Sequence, residues 1–178
     1  MHRLFVALRP PIAVRRQLLE AMGDIAGAHW HDDAQLHITL RYIGKVERRT
    51  AEDIAASIAS VRSRPITIAV SGVGVFEDHG RPSAVWAGVT PHGPITALHR
   101  AVDQAIVRTG REPEHRAYCP HITLARLGRD AGSTDRFMIG RAMLSSDPFT
   151  LDHMLLYEST IGHGGPTYDA IARFPLAR

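Results

Sequence analysis

The tetrapeptide His-Ile-Thr-Leu stands twice in this chain, at 37–40 and again at 121–124. Polar and apolar residues alternate in each copy, the period-two signature of a strand with one buried and one open face. His37 and Thr39 then share one face and Ile38 and Leu40 the other, and His121 and Thr123 repeat this against Ile122 and Leu124. The flanking residues extend the pattern, so that Leu36 to Ile43 reads as a strand stopping at Gly44 and His121 to Leu127 as one stopping at Gly128. Two such strands need other elements over their apolar faces, which leaves an imidazole and a hydroxyl side by side on the opposite surface.

The rest of the chain supplies those elements. Residues 3–8 read as a strand, and Pro10-Pro11 opens a helix carrying Ile12, Leu18, Leu19, Met22 and Ile25. A helix is expected over Thr50 to Val61, with Thr50 as N-cap, Asp53 in the capping-box position and Pro65 beyond its end. Ile66 to Phe76 and Ala84 to Val89 form a hairpin about Asp78-His79-Gly80-Arg81-Pro82. Ile95 to Val107 is a helix closed by Gly110, and Ser133-Thr134-Asp135 caps a short helix through Met143. Phe149 to Tyr157 and Tyr168 to Phe174 close the chain as two strands around Gly162–Pro166. The order βαβαββαβαββ gives each motif strand a helix before and after it. With no low-complexity linker between the halves, the expectation is one α+β domain over residues 1–178, made of two intertwined lobes that share a cleft. One lobe carries 37–40 and the other 121–124.

Composition narrows the class. With 178 residues, 44% of them hydrophobic and 22% charged, the chain resembles a soluble globular protein. A chain of this length buries roughly 70% of its unfolded surface without help from disulfides. Cys119 is the single cysteine and has no partner for a bridge. No run of about 18 apolar residues is present, and Leu4 to Leu8 is too short for a signal-peptide core, so a soluble cytoplasmic protein is expected. Lys and Arg number 21 against 18 Asp and Glu, a net charge of +3 that permits an anionic partner without demanding a long nucleic acid. Lys45 is the only lysine. The arginine bias suits bidentate phosphate contacts and equally reflects coding composition.

Two imidazoles with two hydroxyls suit acid–base chemistry at a phosphodiester. Histidine's ordinary pKa of about 6.5 lets one ring take a proton from water while the other gives one to a leaving alkoxide. Threonine hydroxyls donate to the non-bridging oxygens, and no metal or cofactor is required. Either motif taken alone also fits an edge-strand histidine satisfied by backbone carbonyls.

The extended motifs Leu36-His37-Ile38-Thr39-Leu40-Arg41-Tyr42-Ile43-Gly44 and Pro120-His121-Ile122-Thr123-Leu124-Ala125-Arg126 resemble those of the 2H phosphoesterase superfamily, within it the RNA 2′,3′-cyclic phosphodiesterases also called 2′-5′ RNA ligases. Leu4 to Leu8, Tyr157-Glu158-Ser159 and Gly164 to Tyr168 extend the likeness over nearly the whole chain. The resemblance implies a bilobal, pseudo-twofold α+β fold with two antiparallel sheets, flanking helices and a central cleft. It implies His37 and His121 as the catalytic pair, with His121 the base that activates water and His37 the acid that protonates the 3′ oxygen. Thr39 and Thr123 would hold the phosphate. Arg126 would be its basic neighbour, although its parity is opposite to that of His121, so that a bulge or strand end must redirect it. Arg41 has the parity of His37 and Thr39 and is a second candidate for the cleft. Among the aromatics, Tyr42 is a candidate for base stacking, while Phe5 and Trp30 suit packing. The implied partner is an RNA with a 2′,3′-cyclic phosphate end, or a cyclic nucleotide, acted on by a monomer.

Rival readings have their own residues. His29 and His31 beside Asp32 and Asp33 have the composition of a metal site at a spacing that polar turns produce by chance. Cys119 as a nucleophile is disfavoured by Pro120, which interrupts the strand before His121. Lys45 lacks the surroundings of an adenylylated lysine. A non-catalytic module that binds RNA ends would retain the same fold, and a 2H phosphodiesterase for a small cyclic nucleotide would retain the same four motif residues.

Overall fold

The computed structural model describes residues 1–177. The chain runs β1 (His2–Leu8), α1 (Ile12–Ala21), β2 (His29–Trp30), a 3-10 turn (Asp33–Gln35), β3 (Ile38–Val46), α2 (Arg48–Ala59), β4 (Ile66–Asp78) and β5 (Arg81–Thr90). It continues through α3 (Gly93–Val107), β6 (His121–Arg126), α4 (Asp135–Gly140), β7 (Phe149–Leu151), β8 (His153–Gly162) and β9 (Gly165–Pro175). The strands follow one antiparallel path, β7-β4-β5-β6-β3-β1-β8-β9, with β2 paired to β6. Its centre is the junction of the two motif strands. There β3 and β6 share a single ladder pair, Ile38 opposite Ile122. Four strands lie to either side, so the two expected sheets are continuous through one residue pair.

The apolar faces on both sides of that junction meet in one core, which takes in Ile38 and Leu40 from β3 and Ile122 and Leu124 from β6. α3 buries Ile95, Leu98, Val102 and Ile106 into it, the spacing of one helical stripe. α2 contributes Ile54 and Ile58. A smaller cluster of Phe5, Ala7 and Tyr157, flanked by Tyr168, lies apart from the main core.

Several boundaries differ from the sequence reading. β3 does not stop at Gly44 but passes through it to Val46, because Gly44 takes a left-handed φ of +84° beside a register shift. α2 begins at Arg48, two residues before the expected cap Thr50. Glu47 is its N-cap without a side-chain bond, and the Arg48–Glu52 pair at 3.1 Å spans the first turn. α1 ends at Ala21, since Gly23 and Asp24 both have positive φ, and Ile25 reaches the core from the following loop. α4 stops at Gly140, leaving Met143 in solvent. The expected strand Phe149 to Tyr157 is two strands that part at Asp152: β7 pairs with β4 and β8 with β1, so the chain crosses from one half of the sheet to the other there. Among the described residues, no helix is long and apolar enough to cross a membrane.

Candidate active site

Ile38 faces Ile122 with both side chains in the core, and His37, Thr39, His121 and Thr123, each one residue away along an alternating backbone, point to the opposite side. The four polar motif residues therefore lie on one face of the junction. They line a common cleft of about 830 Å³.

The two histidines are held alike. His37 Nδ1 lies 2.7 Å from the Gln35 carbonyl and His121 Nδ1 lies 2.7 Å from the Cys119 carbonyl, in each case two residues upstream. A carbonyl only accepts, so Nδ1 carries the proton and Nε2 is left with its lone pair. Thr39 Oγ1 is 3.0 Å from His37 Nε2, where its hydroxyl donates to the neutral ring. Gln35 itself is fixed by the capping box it forms with Asp32, and its side chain donates to the Pro166 carbonyl at 3.0 Å.

Burial, with the charge of Arg126 and the neighbouring His31 and His121 rings, pushes His37 down to about 4. His121 is also lowered, by burial first and Arg126 second. Both imidazoles are thus neutral at pH 7 in the absence of an anion.

Both motif strands carry a bulge at the fourth motif residue. On β6 the partners of β5 jump from Thr123 to Ala125, passing over Leu124. On β3 the partners of β1 jump from Thr39 to Arg41, passing over Leu40. A bulge reverses the parity beyond it. Arg126 consequently turns toward the side of His121 and Thr123 and lines the cleft. On β3 the corresponding residue is Tyr42, which is half exposed at the cleft rim.

Arg41 lines the cleft, as expected, but the reversal removes the parity with His37 on which that expectation rested. Its guanidinium donates to Asp103 at 2.6 Å and to the Tyr42 and Glu112 carbonyls, with Glu114 at 3.6 Å. These bonds tie β3 to α3 and to the loop that follows it.

Phe5 is buried, 4.9 Å from the His37 ring and stacked on Tyr157 at 5.1 Å. Trp30 packs on Phe137. Asp32 caps the 3-10 turn and Asp33 binds Arg9 and Arg15. His29 is exposed while His31 is buried in the cleft wall, so the four candidate ligands do not converge, and no group of three or more such side chains suited to a metal occurs among the described residues. Cys119 is exposed at the cleft and serves His121 through its carbonyl. Lys45 is exposed, opposite Arg3 on β1.

The structure brings further aromatic rings to the two histidines, none of which the sequence reading places in the site. Tyr168 meets His37 edge-on at 5.4 Å. Phe76 meets His121 edge-on at 4.7 Å, with Trp86 behind it at 5.9 Å. Trp86 lies against the Cα of Gly74, where any Cβ would overlap its ring.

The family model for the 2′-5′ RNA ligase superfamily matches residues 9–160. An RNA 2′,3′-cyclic phosphodiesterase of Archaeoglobus fulgidus is 30% identical over 132 residues, 71% of this chain and 73% of that protein. One of Aeropyrum pernix is 29% identical over 143 residues, 79% of this chain and 81% of its own. One of Geobacillus stearothermophilus is 27% identical over 166 residues, 92% of this chain, and this chain spans about half of it, 52%. Among solved structures, TT0787 of Thermus thermophilus superposes with a TM-score of 0.80 at 24% identity, covering 98% of this chain and 97% of that one. E. coli LigT complexed with 3′-AMP superposes with a TM-score of 0.78 at 20% identity, covering 99% of each.

Proposed function

Since the chain belongs to the 2′-5′ RNA ligase superfamily, we propose that it is an RNA 2′,3′-cyclic phosphodiesterase that opens a terminal cyclic phosphate to a 2′-phosphate. The carrying observation is the junction: one ladder pair sets two imidazoles and two hydroxyls on a single face, and a bulge turns an arginine toward them. The relatives named above are called RNA 2′,3′-cyclic phosphodiesterases, which supports the substrate class of this reading.

In the proposed reaction, water attacks phosphorus in line with the bond to O3′. His121 Nε2 takes the water proton as the new P–O bond forms. His37, protonated at Nε2, gives its proton to O3′ as the P–O3′ bond breaks, which leaves the phosphate on O2′. Thr39, Thr123 and Arg126 donate to the non-bridging oxygens, whose charge grows in the transition state. The anionic phosphate also opposes the burial that holds His37 down, so the acid gains its proton as substrate binds. Tyr42 at the rim offers a face for a base. A ribose 5′-hydroxyl in place of water would form a 2′-5′ linkage on the same groups, with hydrolysis dominant in water. One observation favours the exchanged assignment: His37 is held neutral down to about 4, as suits a base.

The test is turnover of a short RNA ending in 2′,3′-cyclic phosphate, with chelator present and ATP absent, and with the product position assigned. A 2′-phosphate product is expected. Tight binding of that end without turnover would replace the enzyme with a binding module, and turnover confined to small cyclic nucleotides would move the substrate away from RNA.

A further inference from the structure

The two motif strands meet at one ladder pair, so the backbone alone leaves the separation of His37 and His121 poorly fixed. Beyond Ile38, β3 has no further ladder pair with β6, and the carbonyls of Thr39 and Leu40 find partners elsewhere. Buried or half-buried carbonyls without a partner are costly, so the groups that fill these places reveal what holds the junction.

Both groups come from outside the motifs. The Tyr118 hydroxyl donates to the Thr39 carbonyl at 2.8 Å. His99, on α3 and 8% exposed, lies with Nδ1 2.6 Å from the Leu40 carbonyl, where it donates. The two rings are stacked on each other, with centroids 4.0 Å apart and planes 4° from parallel. Burial keeps the Tyr118 phenol protonated well above its ordinary range, so it stays a donor.

Tyr118 is also joined to the second motif. It directly precedes Cys119, whose carbonyl holds His121 Nδ1 at 2.7 Å. A short covalent path therefore runs from the His121 ring to the Tyr118 hydroxyl, and one hydrogen bond carries it to the peptide of Thr39. The Thr39 side chain in turn contacts His37 Nε2 at 3.0 Å. In the other half, the bulged Leu124 has its carbonyl filled by the backbone N–H of His31 at 2.8 Å.

We infer that Tyr118, clamped by His99, is a positioning residue that sets the distance and orientation between His37 and His121. This rests on the two-histidine function proposed above. The pair does not take part in proton transfer: His99 is turned to a carbonyl, and the Tyr118 hydroxyl faces the Thr39 backbone.

Tyr118→Phe removes the hydroxyl and keeps the ring. It is expected to lower kcat by tenfold or more, in line with the sensitivity of catalysis to displacements of about 1 Å, while KM changes by less than about threefold. The imidazole ¹⁵N resonances of His37 and His121 should both shift. His99→Asn, which can keep the bond to Leu40 but loses the stack, should give a smaller loss of the same kind. Unchanged kcat in Tyr118→Phe would overturn the inference, as would a change confined to KM, which would make Tyr118 a substrate contact. Should Tyr118→Phe not fold, His99→Asn decides: unchanged kcat and resonances there exclude the brace.

Inorganic phosphate separates this inference from the function it rests on. Titrated into the wild-type protein, it should move both imidazole signals with one midpoint. If RNA cyclic phosphate is not turned over but phosphate still moves both signals, and Tyr118→Phe diminishes the phosphate-induced shift of one ring relative to the other, the brace stands and the assigned reaction falls. Shifts of both rings retained in full in Tyr118→Phe would sink the brace alone.

Discussion

His37 and His121 open the same four-residue sequence and make the same carbonyl bond, yet their surroundings differ. His37 sits among Phe5, Tyr157 and Tyr168, with a threonine hydroxyl on its Nε2 and two further histidines among the groups that oppose its protonation. His121 stands beside an exposed cysteine, bordered by Phe76 and Trp86. The local motif fixes the tautomer of each ring, while the walls fix how readily each takes a proton. A repeated sequence can thus place the same side chain in two unlike settings.

The largest effects test whether the two rings act as one unit. His37→Ala and His121→Ala should each lower turnover by roughly 10² to 10⁴ or more, with the double variant little worse than either single one. A substrate whose 3′ bridging oxygen is replaced by sulfur needs no acid, so it should rescue the variant that lacks the acid and leave the other unrescued. Rescue of His37→Ala supports the roles given above; rescue of His121→Ala exchanges them.

Arg126 acts on both rings, since its charge is among the causes that lower each. Arg126→Gln should cost about 10- to 100-fold in kcat/KM and move both limbs of the pH profile upward together. Movement of one limb alone would show that the arginine serves only one histidine.

A sharper division comes from the walls. Tyr168→Ser opens the His37 side to water, so the His37 pKa should rise while that of His121 stays in place, as followed by imidazole titration. On the other side, Gly74→Ala displaces Trp86 and should cost about 1 to 3 kcal/mol of stability, with any resonance shift confined to His121.

The smallest effect is on stability against pH. His37 binds its proton near 4 when folded and near 6.5 when unfolded, so between these values the unfolded chain holds more protons. Its contribution is present above pH 6.5 and is lost as pH falls toward 4. His37→Gln should flatten that part of the curve of melting temperature against pH.

The alternation of β3 and β6, the helical stripes of α2 and α3 and the β4–β5 hairpin are legible in the sequence because each is a local pattern of burial. The bulge at Leu40 is not, since no glycine or proline marks it, whereas the one at Leu124 is foreshadowed only by the parity that the resemblance demands of Arg126. The parting of β7 from β8 at Asp152 is equally hidden, because both strands bury alternate residues and only their partners differ. Tyr118, Tyr157, Tyr168 and His31 come to the histidines from separate elements, through pairings that no spacing along the chain records.

The parting at Asp152 has a consequence for how the molecule comes into being. The outer edge of β1 must wait for β8, so Leu4 finds Glu158 only when most of the polypeptide has been made. Shortened products that end before that return would carry an open hydrogen-bonding edge, liable to join its own kind, and would lack the tyrosines that shelter His37. Quality control and competence for chemistry therefore depend on the same late docking event.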